Sequence, residues 1–292
     1  MTPLPKTRLR TRHFFAPNYN LHETLTSGQA FRWKQHNNNW IGIIQDHWVR
    51  LSARPEAIIA ATTHPEPDWN LLKHYLQTEV DITEVTDQFP QDQYLRTAIS
   101  KCCGLRLLRQ NPWECLASFI LSSTKQILHI SKIIEAMAAY YKIAVTVPDG
   151  YPEIFQFPTP EAISQTSENQ LRRLKMGYRA PYLKASAKAV AEGTIDPDAI
   201  NHLPYTSAKE SLIQLPGVGP KIADCVLLFA YGKQEAFPID IWVDRALREL
   251  YFPRQQMTQS ALESFVSKHF APYNGYAQQY LFHYMRTKHT PP

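Results

Sequence analysis

Apolar residues along this chain recur with a period of two between residues 21 and 51 and with the three-to-four spacing of helices after residue 93. In the first region, Phe31-Arg32-Trp33-Lys34, Trp40-Ile41-Gly42-Ile43-Ile44 and His47-Trp48-Val49-Arg50-Leu51 alternate apolar with polar positions. The polar runs Asn37-Asn38-Asn39 and Gln45-Asp46 fall where hairpin turns belong. The pattern predicts an antiparallel meander. Trp69, Leu72 and Leu76 share a helical face over residues 68–77, so an α+β subdomain is expected over residues 1–92, closing in the acidic, turn-rich stretch 81–92.

Residues 93–292 then carry helical spacing almost throughout. Tyr94, Ala98 and Ile99 begin one stripe. Asn111-Pro112-Trp113 opens a helix bearing Leu116, Phe119 and Ile120, with proline at the first helical position. A further helix is expected over 127–141, beyond the polar break Ser122-Ser123-Thr124-Lys125-Gln126. The prolines of 141–161 argue for an irregular connection. Ser167 caps a short basic helix through Lys175, and Met176-Gly177-Tyr178-Arg179-Ala180-Pro181-Tyr182 ends it and opens another to Glu192. The last helices are expected over 258–270 and 275–286. The fold class is therefore α+β, mostly α: an N-terminal antiparallel sheet subdomain followed by two helical subdomains with a cleft between them.

One break in this pattern carries chemistry. Lys209, Leu212, Ile213 and Leu215 keep helical spacing until Pro216-Gly217-Val218-Gly219, where two glycines permit angles that other residues resist. Pro220 then starts a helix striped by Ile222, Ala223, Val226, Leu227 and Ala230. The unit is a helix, a hairpin and a helix. The amides of Gly217, Val218, Gly219 and of the new helix start point outward, where a DNA phosphate of any sequence can lie; a plain structural turn is the other reading. Lys221 stands in the first turn of that helix, where the macrodipole disfavours a cation. It is either a solvated phosphate-binding lysine or an amine able to attack carbon, and local physics favours the former. Asp240, nineteen residues later, precedes the periodic run Ile241, Val243, Ala246, Leu247, Leu250 as an N-cap, and a capping carboxylate can also serve a neighbouring amine.

Composition narrows the partners. The chain has 292 residues, 44% hydrophobic and 12% aromatic, enough for two or three compact subdomains. A net charge of +5 and a pI near 8.9 suit a polyanion. No apolar run approaches the ~18 residues that span a bilayer, and the start lacks an apolar signal core, so an intracellular location and no membrane association are expected. Lys6, Arg8, Arg10 and Arg12 fit either an organelle address or an arm near DNA. Cys102, Cys103, Cys115 and Cys225 show no paired spacing, so neither a metal nor a cofactor is expected.

Two motifs carry a family resemblance. LPGVGPKIADC followed by FPID resembles the helix-hairpin-helix DNA glycosylases, and within them the 8-oxoguanine branch with a lysine nucleophile. The segment Ser27-Gly28-Gln29-Ala30-Phe31-Arg32-Trp33 is similar to the S-G-Q-x-F-R-W stretch of the same branch, and the likeness spans residues 21–286. The resemblance implies a monomer acting on double-stranded DNA that contains 8-oxoguanine. Lys221 would attack sugar C1′, Asp240 would steady the charge that develops, and β-elimination would nick the strand. Gly28 would accept the N7 hydrogen of the oxidised base, Gln278 would bond its Watson–Crick edge, and Phe282 and Cys225 would sandwich it. Tyr178 would wedge into the duplex and Arg179 would hold the orphaned cytosine.

At two places the chain departs from the family. Thr124-Lys125-Gln126 replaces asparagines that contact the orphaned cytosine, with His129 where many relatives have arginine, and Trp242 replaces a phosphate-binding histidine of some relatives. Local readings stand beside all these roles: a turn glycine at 28, a buried tyrosine at 178, a solvated helix-end cation at 179, helical core at 282. Three functions stay open on the residues: this bifunctional glycosylase, a glycosylase/lyase for another damaged base, or a DNA-binding module without chemistry.

Overall fold

The computed structural model describes residues 8–122 and 126–289. Five strands, β1 (Arg10–Phe15), β2 (Lys34–His36), β3 (Asn39–Ile44), β4 (His47–Arg54) and β5 (Ala57–Thr62), make one antiparallel sheet in the order β1-β5-β4-β3-β2. The β2–β3 hairpin turns on Asn37 and Asn38, both at positive φ, which asparagine tolerates and which matches the strand twist. Pro55-Glu56 makes the β4–β5 turn, with Glu56 at positive φ.

The expected meander is present but is wider than the alternation showed. β5 is an Ala/Ile run without period two, and β1 is a sheet edge that buries only Phe14. Between β1 and β2, where the period-two stretch was expected to begin, lies α1 (Leu21–Thr26), whose N-cap Asn20 accepts from the Glu23 amide.

Helix α2 (Trp69–Leu76) follows, capped by Asp68 and ended by Gln77 in the left-handed region, as the spacing predicted. Leu72, Tyr75 and Leu76 pack on Val49, Leu51, Ile58 and Ala60 of the sheet. The opposite face, Ile41, Ile43 and Trp48, is covered by Ile154, Val145, Val147 and Tyr151 of the irregular connection. In the acidic stretch a short α3 (Ile82–Asp87) forms on an Asp81 cap; Ile82, Val85 and Phe89 belong to the helical core.

The helical part comprises α4 (Gln93–Lys101), α5 (Pro112–Ser122), α6 (Ile127–Tyr141), α7 (Pro160–Gln165), α8 (Glu168–Leu171), α9 (Ala180–Ala191), α10 (Pro197–His202), α11 (Tyr205–Ile213), α12 (Pro220–Phe229), α13 (Ile241–Ala246), α14 (Gln259–His269) and α15 (Asn274–His289). Every residue of α12 from Ile222 to Phe229 is buried, so this helix is the centre of the core and not an amphipathic surface element. Its one charged residue in that run, Asp224, accepts from Tyr205 Oη at 2.7 Å and Lys209 Nζ at 2.9 Å, fastening α11 to α12. Burial pushes the Asp224 carboxyl up and the Lys209 bond holds it down, with burial the larger effect.

Candidate active site

The hairpin between α11 and α12 is built around one glycine. Gly217 has φ +80°, and a Cβ there would lie 2.6 Å from the Tyr182 ring, so both backbone angle and space require glycine. Gly219 has an ordinary φ of −92° as the N-cap of α12, so the expectation that both glycines supply unusual angles holds for Gly217 only. Val218 is buried and its amide donates to the Leu215 carbonyl at 3.1 Å, so the outward amide expected there is turned into the hairpin. No side chain caps α12 and Pro220 has no amide hydrogen, so the N–H groups of Lys221 and Ile222 are left for a ligand.

Lys221 is half-buried, its Nζ 5.6 Å above the Phe119 ring centroid. Asp240 caps α13: its Oδ1 accepts from the amides of Trp242 at 3.0 Å and Val243 at 2.9 Å, while neither bond uses Oδ2. Burial raises the Asp240 carboxyl, opposed by the Val243 amide, then by the Lys221 charge. Cys225 lies one helical turn after Lys221. Burial pushes its thiol up to about 12, Lys221 pulls it down and Asp240 pushes it up, so at neutral pH it is an uncharged wall. The sequence-predicted lysine, cysteine and aspartate thus share one electrostatic neighbourhood.

A second wall is assembled from the two ends of the chain. Gly28 has φ +79°, and a Cβ there would meet Ile127 Cδ1 at 2.7 Å and Phe282 Cε1 at 3.2 Å. Gln278, one turn before Phe282 on α15, is buried and donates from Nε2 to the Pro238 carbonyl at 3.1 Å, two residues before Asp240. Its Oε1 is a buried acceptor with no partner among the described residues. Gly28, Phe282 and Gln278 are thereby linked to the loop that carries Asp240.

Two open readings are decided by burial. Tyr178 is 53% exposed and Arg179 only 3%, the reverse of a buried tyrosine beside a solvated cation. Lys175 at φ 64° and Gly177 at φ 61° kink the chain there, turning the ring outward. The Arg179 guanidinium lies 4.3 Å from the Tyr178 ring centroid and donates to its hydroxyl at 2.9 Å. Tyr178 meets Tyr182 edge-on at 6.4 Å, and Tyr182 lies against Gly217, so the exposed ring adjoins the hairpin. Trp242 stacks on His289 at 6.0 Å. His129 is exposed; Thr124 lies outside the described residues.

Gln29, which no spacing marks out, has a buried amide that donates to the carbonyls of Thr24 and Arg106 and to Ser27 Oγ, and accepts from the Leu108 amide at 2.7 Å. Its position within the S-G-Q motif was the available signal. Two groups of ligating side chains stand close together, Asp46 with His47 and His64, and Glu23 with Cys102 and His283. His47 and His283 each use both ring nitrogens in hydrogen bonds, which leaves those rings no lone pair for a metal. A separate cavity of about 240 Å³, lined by Phe31, Arg32, Tyr75, Arg109 and Glu114 among others, includes none of the candidate site residues.

Comparison with known proteins gives a consistent picture. Residues 14–116 match the family described as 8-oxoguanine DNA glycosylase, N-terminal domain, and residues 117–272 match the HhH-GPD superfamily base excision DNA repair protein. The chain is 30% identical over 277 residues to N-glycosylase/DNA lyase OGG1 of Arabidopsis thaliana, covering 89% of this chain and 75% of that protein. Its fold matches Clostridium acetobutylicum 8-oxoguanine glycosylase/lyase, solved with double-stranded DNA containing cytosine opposite 8-oxoG, at a TM-score of 0.88 and 28% identity over 98% of this chain and 100% of that one. MBOgg1, solved with a low affinity DNA ligand, gives 0.89 at 28% identity, over 97% and 100%.

Proposed function

Because the chain belongs to the HhH-GPD superfamily of base excision DNA repair proteins, in its 8-oxoguanine DNA glycosylase branch, we propose that Lys221 and Asp240 are the catalytic pair of a bifunctional glycosylase/AP lyase. The protein excises 8-oxoguanine from DNA and cleaves the strand at the abasic site. Its partner is double-stranded DNA, which the +5 net charge and the open amides of α12 favour, and it acts as a monomer.

The damaged nucleotide turns out of the duplex, at a cost of a few kcal/mol that the exposed Tyr178 ring offsets by filling the gap, with Arg179 behind it facing the orphaned base. The extruded base lies between Phe282 and the uncharged Cys225. The Gln278 Oε1 accepts from the N–H groups of its Watson–Crick edge. The Gly28 carbonyl accepts from N7–H, which 8-oxoguanine has and guanine lacks. Backbone amides of Gly217 and Gly219, with those of Lys221 and Ile222 at the start of α12, are the contacts to phosphate; Val218 and Trp242 flank them with amides already bonded to Leu215 and Asp240.

The lone pair of the Lys221 amine forms a bond to C1′ as the bond from C1′ to the base breaks, its electrons leaving with the base. The Asp240 carboxylate steadies the positive sugar meanwhile. One amine proton passes to the departing base, the C1′–O4′ bond breaks with O4′ protonated from solvent to give the protonated imine, and loss of a C2′ proton to solvent forms the C2′–C3′ double bond as the C3′–O bond breaks and the 3′ phosphate leaves.

What supports this reading most is that Lys221 and Asp240 lie near enough for their charges to act on each other and on the buried Cys225, while Gln278, one turn before Phe282, bonds to the Pro238 carbonyl just ahead of Asp240. Borohydride trapping on an 8-oxoguanine duplex tests it. The native protein is expected to form a covalent adduct and Lys221→Gln none, with excision down by about 10⁴-fold. An adduct that persists in Lys221→Gln removes the nucleophile assignment.

A further inference from the structure

α15 carries two adjacent stripes of side chains. Gln278 and Phe282 form one, and Gln279, His283 and Arg286 form the next, each at helical spacing. The second stripe runs to the loop before the sheet. Arg286 Nη2 donates to the Thr26 carbonyl at 2.6 Å, and Gln279 Nε2 donates to the Ser27 carbonyl at 2.9 Å. From the far side Gln110 Nε2 donates to the Gln29 carbonyl at 2.7 Å. The carbonyls on both sides of Gly28 are therefore held by side chains, while the Gly28 carbonyl accepts no hydrogen bond among the described residues.

His283 completes the clamp. An arginine offers no acceptor, so the 2.9 Å contact from Arg286 Nη2 to His283 Nδ1 makes Nδ1 the acceptor. The hydrogen then sits on Nε2, which donates to Glu23 Oε2 at 2.6 Å. That hydrogen bond holds the Glu23 carboxyl below its ordinary range despite its partial burial. A continuous chain runs from Glu23 on α1 through His283 and Arg286 to the Thr26 carbonyl. The Arg286 guanidinium also lies 5.7 Å from the Phe282 ring centroid.

We propose that Gln279, His283, Arg286 and Glu23 are positioning residues that fix the Gly28 carbonyl and thereby set the discrimination of oxidised from normal guanine. The inference rests on the reading of Gly28 given above. Guanine and its oxidised form differ at N7 by one hydrogen atom, so the distinction depends on a carbonyl held within hydrogen-bond range of that atom. A flexible loop would blur it. The same helix presents the stacking ring and anchors the reader, so the two move as one body.

The test separates base reading from sugar chemistry. Arg286→Met is expected to slow single-turnover excision of 8-oxoguanine by about 30-fold. Cleavage at a preformed abasic site, where no base is read, is expected to stay within about twofold. Arg286→Lys, which keeps one donor for the Thr26 carbonyl, is expected to recover part of the loss. Gln279→Met, of similar volume, is the second variant and is expected to give about a fivefold loss of the same kind. The proposal is overturned if excision and abasic-site cleavage fall together, or if neither falls, in Arg286→Met or, should that variant not fold, in Gln279→Met. Failure of the native protein to excise 8-oxoguanine would instead overturn the functional reading itself.

Discussion

The two walls of the site are made in different ways. Lys221 and Cys225 stand one turn apart on a single buried helix, started by a proline and preceded by a glycine turn, so their spacing is fixed by local geometry. Gly28 and Phe282 come from opposite ends of the chain and are held together by side chains of α15 that bond to backbone carbonyls near α1. Under the proposed function, Lys221 on the first wall carries the reaction common to any abasic sugar and Gly28 on the second reads the base. That reading places chemistry on the rigid element and selectivity on an assembled contact, where small displacements change the outcome.

After the loss expected for Lys221→Gln, the largest effect on the catalytic side is expected from Asp240→Asn, slowing excision about 10²- to 10³-fold while DNA binding changes little. Asparagine caps a helix as well as aspartate. Burial holds the Asp240 carboxyl above its unfolded value in the folded protein, so its neutral form favours folding. That contribution is complete below the ordinary aspartate range and is lost as pH rises through the raised value. The variant should therefore melt at or above the native temperature near neutral pH. For the same reason native excision should decline, as pH is lowered, sooner than an unshifted aspartate would dictate. Equal losses of binding and rate, or a large drop in melting temperature, would make Asp240 a structural cap only.

The next effect belongs to the reading wall. Gly28→Ala faces a left-handed φ and contacts at 2.7 and 3.2 Å, so a stability loss of about 1 kcal/mol and roughly tenfold slower 8-oxoguanine excision are expected, with abasic-site cleavage nearly intact. Parallel loss of both steps would show that the two walls are not separable. The smallest effect on selectivity is expected from Lys209→Met, which strands the buried Asp224 carboxylate and should cost about 3 kcal/mol by denaturant titration without altering the preference for oxidised over normal guanine. A changed preference would tie the α11–α12 junction to base reading.

Signals confined to a few neighbouring residues were legible in the sequence. Pro112 and Pro220 start helices, Asp68, Ser167 and Asp240 cap them, and Asn37-Asn38 turns a hairpin. Each works through its own backbone angle or an amide two or three residues away. β1 and β5 were missed because an exposed edge and an alanine-rich run lack the alternation that marks a half-buried strand. Gly217 and Gly219 look alike in sequence, yet only the packing of Tyr182 makes the first irreplaceable.

By itself, then, the sequence determined the order of sheet and helices, the hairpin before Lys221, and through its two motifs the residues that would bear the chemistry. Tertiary structure alone decided that Arg179 turns inward while Tyr178 faces out, that Gly28 touches Phe282, and that Gln279, His283 and Arg286 reach α1 and the turn that follows it. The physical reason is range. Periodicity, caps and turns act over a few residues, whereas a bond between side chain and carbonyl spanning some 250 residues leaves no mark on the local pattern at either end.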